Sequence, residues 1–118
     1  MSEHFIPVAD ETALDDLFAP SGTVAVVLFL HDPYRGSSAM AAEELAQLAG
    51  PVHLIDVSSQ QSLSRRVAKR TGILHESPQV FVLHAGDVVW SRSHGGITAE
   101  AVRQAVRSTG TSAGAATR

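Results

Sequence analysis

The chain has 118 residues, 44% hydrophobic and 18% charged, with a formal net charge of −3. That balance suits one folded domain and argues against a nucleic-acid surface, which needs a basic stripe with aromatics. There is no apolar run of about 18 residues, so no membrane span is expected, and with no cysteine anywhere the chain can form no disulfide, no thiolate metal site and no thiol nucleophile.

Met1-Ser2-Glu3-His4 lacks the basic-then-apolar order of a signal peptide, so the cytoplasm is the expected location. Phe5-Ile6-Pro7-Val8 reads as a short edge strand that accommodates Pro7. Asp10 is a good N-cap for a helix from about Glu11 to Phe18, whose apolar positions Ala13, Leu14, Leu17 and Phe18 recur at helical spacing. Pro20-Ser21-Gly22 stops it. Thr23 to Leu30 is a continuous apolar run without alternation, as in a central strand buried on both faces.

His31-Asp32-Pro33-Tyr34-Arg35-Gly36-Ser37 is a loop by its Pro and Gly. Ser37 or Ser38 is expected to cap a second helix with apolar positions Met40, Ala41, Leu45, Leu48 and Ala49, ended by Gly50-Pro51. Val52 to Val57 is a third strand. Ser58 or Ser59 is expected to cap a helix carrying Leu63, Val67 and Ala68, closed by Thr71-Gly72. Arg65-Arg66 and Lys69-Arg70 sit at helical spacing on it and read as a solvated face.

Ser77-Pro78 then precedes one apolar run, and an Ala85-Gly86 turn leads into a second, which ends near Trp90. The two runs read as an antiparallel pair. A loop Ser-Pro just before a strand is a natural place for a cis peptide bond, because the trans preference of X-Pro is only about 0.5–1 kcal/mol. Thr98 caps a last helix with Ala101, Val102, Ala105 and Val106. The residues after it are Ser, Thr, Gly and Ala up to the final Arg118, and read as a disordered tail over 109–118.

The order strand, helix, strand, helix, strand, helix, hairpin, helix implies right-handed crossovers in a parallel core, with antiparallel strands added to the same sheet. The expected fold is therefore α/β: one thioredoxin-like domain over residues 1–108, three layers α/β/α, with a mixed sheet and a C-terminal hairpin plus helix.

Gly72-Ile73-Leu74-His75-Glu76-Ser77-Pro78-Gln79, Gly86-Asp87-Val88-Val89-Trp90 and Ser93-His94-Gly95-Gly96-Ile97-Thr98 resemble the monothiol bacilliredoxin family. The likeness covers roughly Thr23 to Val106. It implies a thioredoxin fold and a role in removing bacillithiol from mixed disulfides through one cysteine at the start of helix 2. The family pattern there resembles His-x-x-x-Cys-Pro-x-Ser. This chain has His31-Asp32-Pro33-Tyr34-Arg35-Gly36-Ser37-Ser38, with Arg35 at the cysteine position, Gly36 at the proline and the serine kept as Ser38. A thiolate is the attacking group in disulfide exchange, and neither a guanidinium nor an unactivated serine replaces it.

What remains is a helix start with free amides that favours an anion, the planar donor fork of Arg35, and Gly36, which admits close backbone approach. With the hydroxyls of Ser37 and Ser38, and with Ser77-Pro78 across from them, these residues form a candidate groove for a small anionic or peptide ligand. The competing reading is that Arg35 faces solvent or pairs with Asp32. His31, at the end of the central strand, lies where α/β folds place ligands. His75 and His94 are further candidate walls, or alternatively loop-holding residues, and Tyr34 is either a groove aromatic or loop packing. His53 and His84 read as structural or exposed, and Trp90 as a packing anchor. No metal is expected, because the histidine spacings match no compact ligand motif. No cofactor is expected either, because no glycine-rich phosphate loop of standard spacing occurs.

Three functional readings follow. The first is a bacilliredoxin-like protein that has lost thiol chemistry and binds a ligand or partner. The second is a reductase active in its cysteine-bearing relatives. The third is a stress-related module that binds a protein partner and no small ligand.

Overall fold

The computed structural model describes residues 4–20 and 23–110. The elements in chain order are β1 (Phe5–Pro7), α1 (Glu11–Leu17), β2 (Val26–His31), α2 (Gly36–Leu45), β3 (Val52–Asp56), α3 (Gln61–Thr71), β4 (Gln79–His84), β5 (Asp87–Ser93) and α4 (Ala99–Arg107), with a 3-10 turn at His94–Gly96 before α4. The strands form one sheet in the order β1-β3-β2-β4-β5. β1, β3 and β2 run parallel, and β4 and β5 are antiparallel to their neighbours. This is the mixed α/β sheet expected from the element order.

Alternation along the central strands sorts the core into two layers. Val27 and Phe29 of β2 and Val80 and Val82 of β4 pack with Ala41 and Leu45 of α2 and with Val102, Ala105 and Val106 of α4. Leu28, Leu30, Phe81 and Leu83 point the other way, onto Leu14 of α1 and onto Leu63 and Val67 of α3. Both faces of β2 and β4 are therefore covered, which is why those strands read as unbroken apolar runs. Each face is held by nonpolar burial worth roughly 25 cal/mol per Å² removed from water.

The helix ends show how local chemistry sets the boundaries. Asp10 caps α1 by accepting the Ala13 amide at 2.9 Å, and Thr98 caps α4 through the Ala101 amide at 3.1 Å. Gly72 ends α3 in the left-handed region, φ 71°, which glycine enters without steric cost. Ala85 (φ 54°) and Gly86 (φ 89°) make the β4–β5 turn.

Several expected boundaries moved. β2 begins at Val26 rather than Thr23, because its partner β4 ends at the Ala85-Gly86 turn and Val26 already pairs with Leu83. α2 stops at Leu45, four residues early. Gln47 and Leu48 bond back three residues, to Glu44 and Leu45, so the chain tightens and leaves the helix. Ser58 and Ser59 do not cap α3. Asp56 Oδ1 takes the Ser58 amide and hydroxyl, and Gln60 stands at the cap. Met40 is exposed, since the buried positions of α2 are Ser38, Ala41 and Leu45. Of the expected tail, Thr109 and Gly110 continue α4 as a hydrogen-bonded turn, and 111–118 lie outside the described residues.

Candidate functional site

The site lies where β2 gives way to α2, at the C-terminal edge of the parallel strands. Antiparallel pairing sets Leu30 of β2 opposite Gln79 of β4, so one further step along the register brings His31 level with Pro78. Gln79 in turn pairs with Ser93, and the His94 amide donates to the Pro78 carbonyl at 3.1 Å. His31, Pro78 and His94 thus form a row across the end of three strands. The Ser77–Pro78 peptide bond is cis. The Ser77 backbone takes no partner among the described residues.

The junction is held by a buried polar cluster. Ser38 is fully buried, and it is not the helix cap. Arg35 occupies the cap position and makes no side-chain capping bond. The Ser38 hydroxyl instead turns back, accepts the Asp32 amide at 2.9 Å and lies 2.7 Å from His31 Nδ1. The hydroxyl has one proton and two acceptor lone pairs, so it holds the Asp32 amide and the His31 ring at once, whichever ring tautomer is present. His31 is buried beside Phe29, with ring centroids 5.1 Å apart. Burial pushes its pKa down from the ordinary value, against the pull of Asp56 and Asp32. Asp56 lies opposite His31 in the β2–β3 register. Its pKa is lowered, first by the Ser58 hydrogen bond.

Asp32 organises the loop outside this cluster. Its Oδ1 accepts the Tyr34 amide at 3.0 Å, and its Oδ2 accepts from Arg35 Nε at 3.1 Å. The Arg35–Asp32 pair is therefore formed. It uses only Nε; the Arg35 side chain is 63% exposed, and its two terminal nitrogens take no partner among the described residues. Tyr34 is 85% exposed, so it does not pack the loop. Gly36 and Ser37 are exposed on the first turn of α2.

The opposite wall is the Leu74-His75-Glu76 loop, and the residue that fixes it, Gln79, is not among the site candidates named from the sequence. Gln79, buried on β4, donates from Nε2 to the Leu74 carbonyl at 3.1 Å and accepts the Glu76 amide at Oε1 at 3.2 Å. A polar residue opening an otherwise apolar strand was the available signal. Glu76 then reaches His94, with Oε1 3.0 Å from Nε2. His75 and Leu74 are exposed, and His75 makes no side-chain bond among the described residues.

Of the other candidates, Trp90 packs partly buried against the α2/α4 layer, with the Arg92 guanidinium 5.3 Å from its ring centre. His53 is half-buried, and burial lowers its pKa. Among the described residues no group of three or more His, Asp or Glu is arranged to hold a metal ion, and no helix is long and apolar enough to cross a membrane.

A mixed sheet of this order, flanked by two helix pairs, is a thioredoxin-like α/β fold. The chain belongs to the monothiol bacilliredoxin family: the family model described as Monothiol bacilliredoxin BrxC matches residues 6–102. Among solved structures, it is similar to a protein provisionally assigned as an oxidoreductase with a thioredoxin fold, at 26% identity and TM-score 0.79, covering 86% of this chain and 92% of that one. A mutant thioredoxin from Halobacterium salinarum NRC-1 matches at 22% identity and TM-score 0.67, covering 92% of this chain and 94% of that one. The thioredoxin of Fasciola hepatica matches at 14% identity and TM-score 0.70, covering 88% and 98%. The last two support the fold alone.

Proposed function

We propose that this bacilliredoxin family member carries out no thiol chemistry and acts as a binding module in the cytoplasm, with the groove between Arg35–Ser38 and Ser77–Pro78 as its site. The ligand is a small anion or the anionic group of an extended peptide. The observation that carries the reading is Arg35. It stands at the position where the family resemblance places the cysteine, and its terminal nitrogens face solvent beside the exposed first turn of α2. A guanidinium with free terminal donors suits bidentate contact with carboxylate or phosphate. Asp32 orients Arg35 through Nε and offsets part of its charge. His31, Tyr34, His75 and His94 complete the walls.

A protein partner is the larger form of the same ligand. Tyr34 (85% exposed) and Leu74 (81% exposed) flank the groove as large apolar side chains in water, and the unpaired Ser77 backbone suits an extended segment.

Isothermal titration with inorganic phosphate tests the small-anion form. Wild type is expected to bind weakly, and Arg35→Ala to lose at least fivefold in affinity. Equal binding by both proteins overturns the role given to Arg35.

A further inference from the structure

A cavity opens on the flank of α2, beginning at Ser37. It holds about 230 Å³ between α2 and the turn at His94–Thr98. We propose that it takes the lysine or arginine side chain of a partner protein. The wall is apolar where a long side chain would lie, at Met40, Ala41 and Ile97, and acidic at Glu43 and Glu44. Long basic side chains have this two-part character, an aliphatic stem under a charged head. Met40, a large apolar residue on a helix surface, is 69% exposed, so this wall is open to a stem.

The charge balance selects the head group. Glu44 Oε1 accepts the Ala99 amide at 2.8 Å, which aims this carboxylate at the start of α4. Its second oxygen and the Glu43 carboxylate take no partner among the described residues. The remaining titratable group in the lining, His94, is turned to Glu76 on the neighbouring loop. No Lys or Arg lines the cavity, so it presents carboxylates without a cation of its own.

The cavity shares Ser37 and His94 with the Arg35 groove but not Arg35 itself, and the two places favour opposite charges, so this inference does not depend on the Arg35 reading. Glu43 lies eight residues beyond Arg35 on α2, about 12 Å at the helical rise of about 1.5 Å per residue. An extended chain covers that distance in roughly four residues, so one partner segment can reach both places.

The test is an amide-resolved NMR titration of the full chain with N-acetyl-arginine amide, N-acetyl-lysine amide and the neutral N-acetyl-norleucine amide. The basic probes are expected to shift the amides of Ser37, Ala41, Gly95 and Thr98, and to bind at least fivefold more tightly than norleucine. Glu43→Gln, an exposed change that breaks no side-chain contact, is expected to remove that advantage, and Arg35→Ala to leave it intact. Equal binding of norleucine, shifts centred elsewhere, or full retention in Glu43→Gln each overturn the proposal. Loss of phosphate affinity bears only on Arg35, so the two readings fail separately.

Discussion

His31 Nδ1 and Ser38 Oγ stand 2.7 Å apart and tie the first turn of α2 to the end of β2. The Asp32 amide shares the same hydroxyl at 2.9 Å, so one buried oxygen sets the geometry of the whole strand-to-helix joint. Ser38→Ala leaves the Asp32 N–H and the His31 ring without their partner, at a cost of about 1–3 kcal/mol. Urea unfolding checks this, with a lower midpoint at an unchanged slope as the expected result.

The burial of His31 makes stability depend on pH. The folded pKa of His31 is lowered from its ordinary 6.5, chiefly by burial, and that of His53 is lowered in the same way. The unfolded chain therefore takes up protons first. Stability is level above the ordinary value and falls as pH drops below it toward the folded values. Melting temperature measured stepwise from pH 7.5 to 5 should decline, and His31→Asn should flatten the decline while His53 keeps part of it. An unchanged slope in the variant would exclude His31 as a contributor.

Two glycines should respond oppositely to alanine. A Cβ at Gly36 meets nothing within 4 Å, whereas at Gly86 it lies 2.8 Å from the Phe18 carbonyl oxygen, on a backbone with φ +89°. Gly36→Ala removes a flexible residue from a helix and is expected to stabilise by up to about 1 kcal/mol. Gly86→Ala combines strain with a backbone clash and is expected to destabilise by more than about 1 kcal/mol. Denaturant midpoints of the two variants give the comparison directly.

Gln79 holds the Leu74-His75-Glu76 wall through both ends of its amide. Gln79→Ala should cost about 1–3 kcal/mol by leaving part-buried backbone groups unpaired. It should also speed hydrogen exchange at Glu76 by at least tenfold, while the amides of Val80 to Val82, in the sheet ladder, change only with global stability.

Restoring the sulfur tests what the scaffold retains. Wild type should show no turnover of a mixed disulfide. In Arg35→Cys the new thiol sits at the cap of α2, where free helix amides stabilise a thiolate. Its pKa, read from the pH dependence of iodoacetamide alkylation, should fall below the ordinary value of about 8.5. A value at or above that would mean the helix start no longer favours an anion.

Much of the architecture is written in pattern. The unbroken runs at Val26–Leu30 and Val80–Leu83 required two covered faces, and both are covered. Asp10, Gly72, Gly86 and Thr98 marked ends and turns through local backbone chemistry. What sequence did not reveal depends on contacts distant along the chain. Ser38 has the composition of a helix cap, but the burial of His31 makes it a tie between elements. The Arg35–Asp32 pair, three residues apart, is local and was one of the two readings of that loop. Gln79 and the Glu76–His94 bridge join segments that only the sheet register brings together. Met40 fits a helical stripe but falls just outside the buried face of a short helix.

The most direct measurement of the central claim is an NMR map of where inorganic phosphate binds the full-length wild-type chain. The account predicts saturable shifts at the amides of Arg35, Gly36, Ser37 and Ser77, absent in Arg35→Ala. Shifts confined to the Arg65–Arg70 face of α3, or no saturable shifts at all, would contradict it.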